Sequence, residues 1–130
     1  MIQAGKINFS DVIENKIIGR TPFTSSKKLD QAFSIIAETK KSKIFVGAFQ
    51  GLSAWEIHRK GDEFVQILSG STELIILEKS KEKSILQMNE AMIALIPKGT
   101  WHKFNSEKGV TIMTSTPLPT EHFTGNLPSY

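Results

Sequence analysis

Glu56, His58 and Glu63 fall within eight positions of one stretch, Trp55–Gly70, which reads WEIHRKGDEFVQILSG. Two carboxylates and an imidazole that converge on one point form a ligand set for a divalent metal. A second stretch, Pro97-Lys98-Gly99-Thr100-Trp101-His102, places another imidazole just after a Pro-x-Gly turn. An unpaired acid on an apolar face is costly, and Glu63 would share its face with Val65 and Ile67. Ligation of a metal removes that cost.

These residues need strands to hold them. Side chains of a strand alternate between its faces, so Glu56 and His58 point one way and Trp55, Ile57 and Arg59 the other. Lys60-Gly61-Asp62 has turn chemistry. If the chain folds back there into a neighbouring strand, Glu63 lands opposite His58. Trp55 and Trp101, each one residue before a candidate ligand, then point away from the metal and fill space outside the inner sheet or at an interface.

The pattern Glu56-x-His58-x4-Glu63-x6-Gly70, followed after about 26 residues by Pro97-x-Gly99-x2-His102, resembles the two motifs of the cupin superfamily. The first motif is usually His-x-His-x(3,4)-Glu-x6-Gly, and the second usually Gly-x5-Pro-x-Gly-x2-His-x3-Asn. Residue by residue, His58, Glu63 and His102 match three of the four usual ligands. Glu56 stands where the first His is usual, Ala91 where the second motif opens with Gly, and Asn105 one residue before the closing Asn. Trp55-Glu56-x-His58, Trp101-His102 and Thr116-Pro117-x-Pro119-Thr120-Glu121-His122 are similar to small single-domain cupins without an assigned activity. The resemblance covers residues 42–117. It implies an all-β, double-stranded β-helix (jelly-roll) barrel and one divalent metal ion, with iron, manganese, zinc and nickel all open.

Glu56 has three readings. It ligates the metal, acts beside it as a general base, or hydrogen-bonds a ligand imidazole. With Glu56 bound, two imidazoles and two carboxylates favour manganese, iron(II) or zinc over copper(I). Without it, His58, Glu63 and His102 resemble a two-His-one-carboxylate set with open positions. Val65, Ile67 and Phe104 are in phase with the ligands and are expected to line an apolar substrate pocket. Asn105 would orient the substrate. His122 reads either as an exposed tail residue or as a rim residue of a tail folded over the barrel mouth.

Composition narrows the function. The chain has 130 residues, no cysteine and a net charge of +3. One domain is expected, without disulfides or a thiolate metal site. Arg20 and Arg59 are the only arginines, Lys40, Lys41 and Lys43 form a small cluster, and Lys79, Lys81 and Lys83 alternate with Glu78 and Glu82. That distribution reads as solvated surface and argues against a nucleic-acid partner. No apolar stretch has the length of a signal peptide or a membrane span, so a cytoplasmic location without membrane partners is expected.

In chain order, Ser10-Asp11 reads as the cap of a short helix from Val12 to Ile18, ended by Gly19, with Thr24–Lys28 a loop. Strands follow at Phe33–Ala37, Ile44–Phe49, Leu52–His58, Phe64–Leu68, Thr72–Leu77, Ile85–Met88, Ala91–Ile96, Thr100–Asn105 and Val110–Thr116. Turns fall at Ser69-Gly70-Ser71 and Ser106–Gly109. The expected division is an arm at 1–30, a barrel at 31–117 and an extended Pro-rich tail at 118–130. Exposed sheet edges and the apolar tail point to a homodimer. Two functions fit: a metal-dependent oxygenase, isomerase or lyase acting on a small molecule, or a barrel that binds a metal or small ligand without turnover.

Overall fold

The structure is a computed structural model, and it describes residues 17–130. The helix expected to start at Ser10-Asp11 lies largely outside these residues. Its last expected residue, Ile18, opens a strand instead, β1 (Ile18–Arg20). A seven-residue helix follows, α1 (Ser26–Ala32), whose first three residues fall in the Thr24–Lys28 stretch expected as a loop. Its cap is Ser25, whose hydroxyl accepts from the Lys28 amide.

The rest of the described chain is β: β2 (Phe33–Glu38), β3 (Ser42–Leu52), β4 (Trp55–His58), β5 (Glu63–Leu77), β6 (Lys83–Asn89), β7 (Ile93–Ile96), β8 (His102–Pro117) and β9 (Thr120–Phe123). These strands form one curled sheet, an all-β jelly-roll barrel. Its spine is the antiparallel pair β5–β8, flanked by β3 on one side and by β6 and β7 on the other.

Two sequence expectations change here. Ser69-Gly70-Ser71 and Ser106–Gly109 do not reverse the chain. They are bends inside the 15-residue β5 and the 16-residue β8. Gly70 has φ +77° and lies opposite Val110, and the register shifts around both sites. A Cβ on Gly70 would come within 2.3 Å of the Gly109 carbonyl oxygen. Glycine lets two bent strands touch where any side chain would hold them apart. The bends let each strand serve two parts of the barrel.

The second change concerns β4. It pairs with β8 and β9, and β5 pairs with β6, β7 and β8. Lys60-Gly61-Asp62 therefore links two strands that are not partners instead of closing a hairpin. Leu52–His58 is also two strands, with β3 ending at Leu52 and β4 starting at Trp55.

Apolar side chains segregate into two clusters. Phe49, Val65, Ile67, Leu74, Phe104 and Ile112 are among those filling the barrel interior. Trp55, Ile57, Ile75, Leu77 and Trp101 pack on the opposite face of β4. The period-two reading of Trp55–His58 is what separates them. The segment after Pro117 covers this second cluster. Trp55 Nε1 donates to the Asn126 carbonyl at 3.0 Å and Trp101 Nε1 to that of Ser129 at 3.1 Å.

Candidate metal centre

The site assembles from three strands. Glu56 and His58 come from β4, Glu63 from the start of β5 and His102 from the start of β8. Glu56 is in register with His102 on one side and with His122 of β9 on the other. The Pro97-Lys98-Gly99 turn is fixed by two bonds to the segment that carries His58. The Gly99 amide donates to the His58 carbonyl at 2.8 Å, and the Lys98 amide donates to Asp62 Oδ1 at 2.9 Å. Gly99 sits at φ +72°, a conformation glycine adopts without strain. The turn thus delivers His102 to the place His58 already occupies.

One ligand atom from each of Glu56, His58, Glu63 and His102 lies within 4.8 Å of the others. Atoms on opposite sides of an ion with bonds of about 2.1 Å are about 4.2 Å apart, so the four lie close to the span of one coordination sphere and would draw in slightly around an ion. His58, Glu63 and His102 are buried and Glu56 is partly exposed. His102 Nε2 is 3.1 Å from Glu63 Oε1 and 3.3 Å from Glu56 Oε1.

The outer contacts orient the rings. His102 Nδ1 lies 3.0 Å from the Thr100 carbonyl, which only accepts, so Nδ1 carries a proton and Nε2 faces the cluster. His58 Nδ1 bonds to the Thr120 hydroxyl at 3.0 Å, which aims its Nε2 at the same point. Thr116 donates to Glu63 Oε2 at 2.6 Å and is itself 2.8 Å from the Thr114 hydroxyl. Metal-binding sites have outer partners of this kind.

His58 Nε2 supplies the fit test. It is buried and, among the described residues, makes no hydrogen bond. Glu63 Oε2 is 3.2 Å away, an ion-pair distance, but forms no hydrogen bond with it. A buried ring nitrogen without a hydrogen-bond partner is costly, and as the neutral tautomer with its lone pair on Nε2 it would be satisfied by a metal ion at the cluster centre. The residues present fit a divalent ion.

Electrostatics agree with this reading. Burial pushes the Glu63 carboxyl up, but the hydrogen bond to His102 and the close approach of His58 outweigh it and bring it down to about 2. Burial likewise disfavours the His102 cation, but Glu56 and Glu63 raise it to about 10. Glu56 is raised by burial and lowered more strongly by His102, and the net direction is down. Without metal, a proton on His102 Nε2 holds the two carboxylates together. A cation in that position does the same with more charge.

A cavity of about 240 Å³ opens onto the cluster, lined by Glu56, His58, Glu63, Phe104 and His122 among others. His122 Nε2 is 3.7 Å from Glu56 Oε2, and its side chain is 55% exposed. This places His122 at the rim, on β9. Val65 and Ile67 were expected to line the pocket and do not. They are closed off in the interior cluster, at 0% and 1% exposure. The cavity lies toward the Glu63 end of β5, where Ile112, Thr114 and Thr116 of β8 form the wall. Asn105 also lies away from it, opposite Leu52 and 3.4 Å from Glu73 Oε1. Phe104 is in place, edge-on to His102 at 6.0 Å.

Arg20 lines the cavity and was missed in the sequence. Its guanidinium lies over the Phe49 ring, 3.5 Å from the centroid. Its one sequence signal is rarity, since it stands in a segment with no motif.

No protein-family profile and no curated protein matches the chain. Solved structures do. A cupin-2 domain containing protein from Shewanella frigidimarina matches at a TM-score of 0.64 and 20% identity, over 86% of this chain and 94% of that one. Hydroquinone 1,2-dioxygenase from Sphingomonas, with 4-hydroxybenzoate bound, matches at 0.58 and 17%, over 65% and 64%. A cupin superfamily protein from Desulfitobacterium hafniense matches at 0.57 and 13%, over 67% and 76%. The chain has the fold of the cupin superfamily.

Proposed function

We propose that this chain binds one divalent metal ion through His58, Glu63 and His102, with Glu56 beside or on the ion, and acts on a small organic molecule held in the adjoining cavity. The observation that carries this reading is the orphaned Nε2 of buried His58, aimed at two carboxylates and a second imidazole. The ion would supply Lewis-acid polarisation of a bound oxygen.

The chain's own residues divide the remaining work. Glu63 is fully committed, bonded to Thr116 and to His102. Glu56 is different. It faces the cavity, it is partly exposed, and its second oxygen reaches His122. Glu56 Oε2 is therefore the atom best placed to take a proton from a substrate, and His122 the group that exchanges it with solvent. Phe104 and Ile112 exclude water from the inner wall. Isomerase, lyase and oxygenase chemistry all use these parts. The dioxygenase among the fold relatives holds a hydroxybenzoate, a ligand whose size suits the cavity. Exposed Ile85, Ile93 and Leu95 on β6 and β7 support a homodimer.

The test is elemental analysis of untagged protein prepared without chelators, beside His58→Ala and Glu56→Gln. The expected result is about one equivalent of metal in the wild type and none in His58→Ala. Retention in Glu56→Gln takes Glu56 off the ion, as a base or as a hydrogen-bond partner of a ligand imidazole, and loss assigns it as a ligand. Wild-type protein that takes up no iron, manganese, zinc or nickel after anaerobic reconstitution would sink the reading.

A further inference from the structure

Arg20 ends β1, opposite Gly51 of β3. Gly51 has φ +105°, and a Cβ there would come within 2.2 Å of the Arg20 carbonyl oxygen. The two backbones are thus in tight contact, which fixes where the Arg20 side chain starts. Stacking on Phe49, with Phe33 at 5.6 Å, fixes where it ends. The stacked guanidinium leaves its N–H edges free to bond. Arg20 Nε is buried and has no hydrogen-bond partner among the described residues, nor is Arg20 in an ion pair with any of them. Arg20 and Glu56 both line the cavity at the metal cluster and the neighbouring one of about 190 Å³.

Among the described residues, a divalent ion is balanced by Glu56 and Glu63, which leaves the Arg20 cation in the cavity. Asp30 of α1 is also on the wall, but it is solvent-exposed, where its charge is screened. The other walls at that end, such as Leu29, Phe33 and Leu118, are apolar. Burial lowers the Arg20 pKa and nearby Glu56 partly offsets it, to a net value of about 10, so the group stays charged at neutral pH.

We propose that Arg20 binds the anionic end of the cavity's ligand, and that this ligand is a small organic carboxylate lying between Arg20 and the His58–Glu63–His102 cluster. The fork of N–H groups matches a carboxylate in two bonds, and one guanidinium balances one negative charge. The inference rests on the metal-centre reading for the position of the ligand's other end.

The test is calorimetric titration of zinc-loaded wild type with benzoate and phenylacetate, and with benzamide and phenylacetamide as uncharged matches. Zinc content is measured on the same samples. The carboxylates are expected to bind more tightly than the amides. Arg20→Gln should weaken them by about tenfold or more, with amide binding and zinc content unchanged. Arg20→Lys keeps the charge without the fork and should fall between, which also covers the case of an unfolded Arg20→Gln. Carboxylates that bind no better than their amides, or that bind wild type and Arg20→Gln alike, overturn the proposal. Wild type without zinc overturns the metal reading instead, and the carboxylate preference of that same protein then decides for or against Arg20.

Discussion

His58 Nε2 and Glu63 Oε2 lie 3.2 Å apart without a hydrogen bond between them. The geometry is held by groups outside the pair. Thr120 fixes the far nitrogen of His58, and Thr116 fixes Glu63 Oε2 itself. Both side chains are therefore held facing the same point. Thr116→Val keeps the shape of the side chain and removes the donor to Glu63. It should weaken zinc binding by about 10- to 100-fold while the fold is retained. Competition with a chromophoric chelator measures this. An affinity unchanged from wild type would mean that Thr116 only fills space.

The titration of the site gives a second expectation, for protein freed of metal. The His102 pKa is raised from 6.5 to about 10 on folding. Its contribution to stability is complete below pH 6.5 and is lost as pH rises through about 10. The Glu63 pKa is lowered from 4.5 to about 2, so its contribution is present above pH 4.5 and is lost as pH falls through about 2. Between them the two groups stabilise the metal-free fold most at pH 4.5–6.5. In chelator, Tm should fall steadily from pH 7 to pH 10. With zinc the ion takes the place of the His102 proton, and that alkaline fall should disappear. Parallel profiles with and without zinc would contradict this.

Ala91 carries a third prediction. It is exposed and sits at φ +70°, at the position where the resembling motif has glycine. The turn is closed by the Met92 amide on the Asn89 carbonyl, and the Ala91 amide bonds to the Ile67 carbonyl. Those bonds hold the backbone in a region that costs an L-residue about 1–2 kcal/mol. Glycine relieves that strain but loses about 0.4–1 kcal/mol through the freer unfolded chain. Ala91→Gly should therefore stabilise the protein by about 0.5 kcal/mol. Urea denaturation with an unchanged slope would measure it, and a destabilised variant would show that the turn is not strained.

The cluster of Glu56, His58, Glu63 and His102 was legible because strand alternation and turn spacing are local properties. Glu56 and His58 share a face by period two, and Pro97-x-Gly99 announces the turn before His102. What was not legible is how distant pieces meet. Gly70 and Gly109 look like hairpin turns because bends and turns draw on the same residue. Only their mutual contact, across 39 residues of sequence, shows that they are bends. Val65 and Ile67 were in the correct phase, but phase says which face a residue is on and not how far along the barrel the cavity lies. Arg20 was hidden for a related reason. Its partners, Phe49 and the cavity, come from elsewhere in the chain, and a three-residue strand has no periodicity to reveal.

The last residue of the chain bears on the site through β8 and β9. The Tyr130 hydroxyl donates to the Leu77 carbonyl and accepts from the Trp101 amide at 3.1 Å, one residue before His102. Its ring lies under Lys79 Nζ at 3.6 Å. The segment between Tyr130 and β9 covers both tryptophans, and β9 supplies Thr120 to His58 and His122 to Glu56. Tyr130→Phe removes only the hydroxyl and leaves a buried carbonyl and amide short of a partner. It should cost about 1–3 kcal/mol of stability with zinc affinity nearly unchanged, because β9 stays in place. Truncation after Pro119 should do more. It uncovers Trp55 and Trp101 and takes Thr120 from His58, so both Tm and zinc affinity should fall. Tryptophan fluorescence reports the first effect and chelator competition the second. A truncated protein with wild-type zinc affinity would show that His58 is oriented without Thr120, and that the tail serves the fold alone.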